Sequence, residues 1–174
     1  MSALIRIIGI DPGSRITGYG IIDTDGFRHK YVASGYIKLT GDEFHHRLGM
    51  VFNEIGIIIK KWKPVTMGIE KVFVRKNIDS ALKLAQARSA IICAGVSAQL
   101  ELGEYSPRSI KKAVVGSGAA DKQQIQQMMQ RLLKLDETPQ EDEADALAIA
   151  MCHANHMHVK TLGIATGSRR GRWV

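Results

Sequence analysis

The sequence predicts an α/β domain built on one mixed five-stranded sheet, with three antiparallel strands followed by parallel ones and helices on its flanks. Three observations lead there. Residues 4–38 hold three strand-like apolar runs separated only by turn residues, which is the pattern of an antiparallel meander. A stretch of helical periodicity then precedes a fourth apolar run, so that strand can return parallel to the first through a right-handed crossover. The remainder reads as helix apart from one short strand.

Each element has its own signal. Residues 4–11, 17–23 and 30–38 are the meander, broken at Pro12-Gly13-Ser14 and Asp23-Thr-Asp-Gly26. From Asp42 to about Lys61, Phe44, Leu48, Val51, Phe52, Ile55, Ile58 and Ile59 recur at helical spacing, and Lys60-Lys61 with Pro64 close the segment. Strand 65–70 follows, then a polar loop from Lys71 to Ile78. Asp79 or Ser80 is placed to cap a helix reaching about Leu100. That helix is apolar over more than one stripe, so it is either sunk in a large core or shared with a partner subunit, and the small size of the chain favours the second. A short strand near Glu104-Tyr-Ser106 precedes a helix opening at Pro107; Gly116-Ser-Gly118 connects to a helix over 122–135, and the last helix begins after Pro139 and reaches about His156. The expected division is one folded domain over 1–158 and a basic, disordered tail over 159–174.

Composition narrows the class. The 174 residues are 45% hydrophobic, enough for one sizeable core, and the formal net charge of +7 suits a polyanionic partner. Cys93 and Cys152 lie far apart in apolar helical patterns, so neither a disulfide framework nor a C-x-x-C site is indicated. With no signal peptide and no apolar run near ~18 residues, a cytoplasmic protein that does not span a membrane is expected.

Against that basic background four acids stand out. Asp11 closes the first apolar run and Glu70 closes the fourth, while Asp142 and Asp145 lie three apart, on one face of the last helix. Asp-Pro-Gly alone is a common turn, and Glu141, Asp142 and Glu143 would suit a helix N-terminus without any function. Glu70 and Asp145 are harder to explain, because each sits in apolar surroundings where an unpaired carboxylate is costly. Converging, the four would form a cage of hard oxygen ligands suited to Mg²⁺ or Mn²⁺.

The stretches Gly9-Ile-Asp-Pro-Gly-Ser-Arg15, Gly18-Tyr-Gly20, Ile69-Glu-Lys-Val-Phe73, Lys76-Asn-Ile-Asp-Ser-Ala-Leu-Lys-Leu84 and Asp142-Glu-Ala-Asp-Ala-Leu-Ala148 resemble the RuvC family of bacterial Holliday junction resolvases, over about residues 4–158. The resemblance implies an RNase H-like fold, a symmetric homodimer, and Mg²⁺-dependent cleavage of two opposed strands at a four-way DNA junction. It also implies metal-ligand roles for Asp11, Glu70, Asp142 and Asp145, and RuvA and RuvB as branch-migration partners. Lys111 and Lys122 resemble family positions beside the active site, where a lysine can steady phosphate charge; a solvated helix face would explain them equally well. Lys71 and Arg75, flanking Phe73, are positions not always basic in relatives.

Phosphodiester hydrolysis needs an activated water, neutralisation of the phosphate and stabilisation of the leaving 3′ oxygen, which two Mg²⁺ ions ~3.5–4 Å apart can supply, with Mn²⁺ as a substitute. Asp11, on the central strand, is the expected bridging ligand. Phe73 among cations is either a core anchor or a stacking group for an unpaired base. From charge alone, Arg75, Lys76, Lys83 and Arg88 are expected on DNA phosphates. Cys152, His153, His156 and His158 lack a zinc spacing, and the 116–122 segment lacks the glycine and hydroxyl residue of a phosphate loop. Three other functions are weighed: an actin- or hexokinase-like ATPase, for which the chain is too short; a junction-binding module without catalysis; and an RNase H-like nuclease acting on RNA.

Overall fold

The computed structural model describes residues 4–72 and 77–161, with side chains to 157. Five strands, β1 (Ile5–Asp11), β2 (Ile16–Thr24), β3 (His29–Lys38), β4 (Thr66–Glu70) and β5 (Glu101–Tyr105), form one sheet in the order β3-β2-β1-β4-β5. β1 pairs antiparallel with β2 and β2 with β3, whereas β4 runs parallel to β1 and β5 parallel to β4. The crossover helix α1 (Phe44–Trp62) is what permits that reversal of sense.

The sheet is covered on both faces, and β1 shows how. Its side chains alternate, so Ile8 and Ile10 join the core under α1 and α2 (Ile78–Ser97), while Ile7 joins the core under α3 (Pro107–Val115), α4 (Lys122–Leu133) and α5 (Glu141–Thr161). Gly9 and Asp11 share the face of Ile7. A strand buried on both sides reads as a continuous apolar run, as Ile7-Ile-Gly-Ile10 does.

α5 lies between the sheet and α3/α4, and from Ala144 to Ala154 every side chain is buried except that of Asp145, which is half-buried. Glycines make this possible. A Cβ at Gly9 would stand 2.2 Å from the Ala146 carbonyl oxygen, and one at Gly20 would stand 2.7 Å from the Leu147 nitrogen. Paired with Ala146 and Ala150, these positions let backbone approach backbone, and the fully buried Leu147 and Ile149 each contribute roughly 1.5–3 kcal/mol of burial.

Three boundaries differ from expectation. β5 spans Glu101–Tyr105 instead of centring on 104–106, because the Ser106 side chain accepts from the Ser109 nitrogen and caps α3. As an edge strand paired only with β4 and interrupted by Gly103, it carries little alternation to read. α2 is capped by Asn77, not by Asp79 or Ser80, and ends at Ser97 where Gln99 turns to positive φ. α5 continues five residues beyond His156, into what was assigned to the tail; 162–174 lie outside the described residues.

Candidate active site

β1 and β4 run side by side in the same sense, so Asp11 and Glu70 end them at the same edge of the sheet. Ligand sites in α/β sheets gather at that edge. Asp11 pairs across the ladder with Gly18, and a Cβ on Gly18 would lie 2.1 Å from the backbone oxygen of Asp142. The first turn of α5 is therefore pressed onto β2 beside Asp11, and Asp145, three residues on, faces the same opening. Glu70 and Asp145 also line a small pocket of about 70 Å³ with Lys111, between Ile110, Ile125 and Ile149.

The electrostatics record this convergence. Burial, then the charges of Asp145, Glu70 and Asp142, push the Asp11 carboxyl up to about 8, against a pull from Lys122. Asp145 rises to about 6, mainly through burial; Lys122 and Lys111 hold it down, while Glu141 and Asp142 push it up. Four acids and two lysines thus share one field. The lysines are anchored: Lys111 donates to the Ala120 carbonyl at 2.7 Å, and Lys122 pairs with Glu141, a bond that raises its own pKa. Among the described residues no three acidic, imidazole or thiol groups are drawn into a finished ligand cluster. Ionisation of Asp11 is suppressed first by its burial and then by the like charges beside it. A hard divalent cation fits this donor set, which offers carboxylate oxygen with no softer ligand beside it.

Arg88 is placed differently from expectation. Its Nε donates to the Glu70 backbone carbonyl at 2.8 Å and its terminal nitrogen pairs with the Glu104 carboxylate. The guanidinium is mostly buried and spent on protein, so Arg88 holds the end of β4 instead of facing outward to a phosphate. Lys83 pairs with Asp79 at 2.7 Å on exposed α2. Phe73, Arg75 and Lys76 lie outside the described residues. Arg88→Met is expected to slow cleavage by about tenfold, the usual effect of losing a group that orients a ligand, with unchanged nucleic-acid affinity and salt dependence. Weaker binding with a shallower salt slope would return the guanidinium to phosphate.

His153 needs no metal to explain it. The Thr66 hydroxyl donates to the Glu101 carbonyl at 2.9 Å, so it accepts from His153 Nε2, and Nδ1 accepts from the Tyr105 hydroxyl. The ring bolts α5 to β4 and β5. Gly116 ends α3 in the left-handed region, and Asp121 begins α4 in a capping box with Gln124, which accounts for the 116–122 segment without a nucleotide. Gly18 was the functional position least visible beforehand. Its signal was the pair Gly18/Gly20 on one face of β2, which the fold sets against Asp142 and Leu147 of α5.

Comparison with known proteins agrees with this geometry. Residues 7–153 match the family described as crossover junction endodeoxyribonuclease RuvC. The chain is 52% identical over 166 residues to the protein of that name from Stutzerimonas stutzeri, covering 95% of each chain. It is 54% identical over 167 residues to that of Pseudomonas fluorescens, again covering 95% of each. Among solved structures, T. thermophilus RuvC in complex with a Holliday junction substrate superposes with a TM-score of 0.84 at 27% identity, over 90% of this chain and 97% of that one.

Proposed function

This chain belongs to the RuvC family of crossover junction endodeoxyribonucleases, and from that premise we propose that it resolves four-way DNA junctions by paired, symmetrical phosphodiester hydrolysis at the Asp11 site. The observation that carries the reading is the opening shared by Asp11, Glu70, Asp142 and Asp145, where burial and then crowded charge suppress ionisation of Asp11, with Lys111 and Lys122 at its flank. RNase H-like proteins share this sheet, so the edge and its acids decide the activity, not the fold.

The four carboxylates, Asp11 at their centre, would hold divalent ions, Mg²⁺ by preference with Mn²⁺ as substitute and two per site. Such ions supply a more acidic attacking water and neutralise charge on the phosphate and the leaving 3′ oxygen. The chain's own residues do the rest. Lys111 and Lys122 offer ammonium groups to the phosphate oxygens, where charge builds as the P–O bond breaks. Rigid β-strand ends and a buried helix keep the carboxylates in register, so little reorganisation is needed at the moment of reaction.

Two opposed strands require two such sites, and hence a second copy. α2 leaves Ile78 and Leu82 69% and 57% exposed, which supports the reading of that helix as one shared with a partner subunit. Phe73, Arg75, Lys76 and exposed Lys83 are proposed to contact the junction, Phe73 by stacking. RuvA and RuvB are proposed partners through the family. A nuclease domain over 1–158, a basic tail over 159–174 and a cytoplasmic setting complete the proposal; no helix among the described residues is long and apolar enough to cross a membrane.

A synthetic four-way junction and a linear duplex, each incubated with Mg²⁺, Ca²⁺ or EDTA, provide the test. Paired nicks on the junction alone, in Mg²⁺ or Mn²⁺, are expected. Equal cleavage of duplex or of an RNA/DNA hybrid would overturn the assignment, and metal-independent binding without nicking would leave only a junction-binding module.

A further inference from the structure

Arg47, in the first turns of α1, is 8% exposed, and its Nε has no hydrogen-bond partner. No acid among the described residues pairs with it. A guanidinium keeps its proton at any ordinary pH, so burial without a counter-charge needs an offset. The face of Phe44 supplies part of it, with the guanidinium carbon 5.2 Å from the ring centroid. Since Phe44 is the first residue of α1, the Arg47 side chain is turned back toward the helix N-terminus. That terminus also lacks its usual satisfaction. Glu43 makes no side-chain cap, the first turn carries no acid, and the Glu43 carboxylate lies 3.8 Å from exposed His45.

An uncapped helix start and a buried, unpaired arginine at the same place both call for an anion. Their position says which. β3 ends at Lys38, paired with Ile16, and the Leu39 nitrogen bonds the Arg15 carbonyl at 2.7 Å, so α1 starts at the edge of the sheet where Asp11 ends β1. α1 and α5 lie on opposite faces, which puts this site across the sheet from the carboxylates, with exposed Arg15 just before β2 and exposed Lys38 at the end of β3 between them.

We propose that the N-terminus of α1 and Arg47 form a phosphate site that grips a backbone phosphodiester of the DNA substrate, away from the bond being cut. The source of the phosphate rests on the junction-cleaving reading above; the anion chemistry does not. The contact anchors the strand and reads no base.

Arg47→Met keeps the aliphatic stem and removes the charge, whereas Arg47→Lys keeps the charge without the fork. Titrated with a four-way junction in Ca²⁺ over a range of KCl, R47M is expected to bind about tenfold more weakly, with a salt slope shallower by about one. R47K should bind more weakly at the wild-type slope. Inorganic phosphate, compared with chloride at equal ionic strength, should raise the thermal midpoint of the wild-type protein and not of R47M. Wild-type affinity and slope in R47M would overturn the proposal. If R47M does not fold, R47K decides: undiminished junction affinity overturns it, and weaker affinity at unchanged slope supports it. Stabilisation by phosphate with junction binding indifferent to both variants would mark a small-anion site and refute the DNA source. Should the wild-type protein cleave no junction, the function proposed above fails, while the slope measured on duplex still decides the phosphate site.

Discussion

Asp11→Asn is expected to cut junction cleavage by a factor on the order of 10²–10³ or more while changing junction affinity little. The side chain belongs to the reacting centre, whereas affinity comes from the basic surface. The same substitution should stabilise the metal-free protein. Below about pH 4 the carboxyl is protonated in both folded and unfolded chains and costs nothing. As pH rises, the unfolded chain releases the proton first, and the folded chain keeps it until about 8. Stability therefore falls across that window, and stays low above it. At pH 8.5 Asp11→Asn should exceed the parent by several kcal/mol, the order implied by a rise from 3.8 to about 8, and melt several degrees higher, with the gap closing toward pH 4. Divalent ions should reverse the order by stabilising only the parent. Thermal scans at both pH values, with and without Mg²⁺, read this out. Near-normal cleavage by the variant in Mg²⁺ would remove Asp11 from the centre.

Gly18→Ala is expected to damage the site without touching a carboxylate. The new Cβ would lie 2.1 Å from the Asp142 oxygen and 2.7 Å from its carbonyl carbon, and neither is the end of a flexible side chain. The start of α5 must move. Overpacking of this kind costs about 1–3 kcal/mol, and a shift of roughly 1 Å between reacting groups can cost about a hundredfold in rate. Cleavage should thus fall much further than stability, measured at a temperature where the variant remains folded. Gly49→Ala and Gly56→Ala on α1 are the controls, since a Cβ there meets nothing within 4 Å. Each should hold or gain up to about 1 kcal/mol with normal cleavage. Equal rate losses in Gly18→Ala and the controls would detach the close approach from catalysis.

The sheet was legible in the sequence because strands buried on both faces leave continuous apolar runs and the meander turns use Pro, Gly and Asp. Glu70 and Asp145 were legible because charge in apolar surroundings has few structural reasons, whereas Asp11 and Asp142, each explicable as a turn or a helix start, stood out only beside them. β5 was blurred, as an edge strand of five residues with a central glycine carries no strong period. For Arg88 the sequence offers charge alone, and charge does not reveal which way a long side chain points. In the fold it reaches back to the Glu70 carbonyl, eighteen residues away. Arg47 escaped notice for the converse reason: a basic residue at helical spacing reads as solvated surface until its burial is known.

The position of α5 also has a consequence during synthesis. Asp11 and Glu70 belong to strands completed early, but the last two acids arrive on a helix that packs directly against β1 and begins only at Glu141. A nascent or truncated chain lacking α5 has an open sheet face and half a centre. On the proposed reading, a chain truncated before α5 is expected to show no junction cleavage.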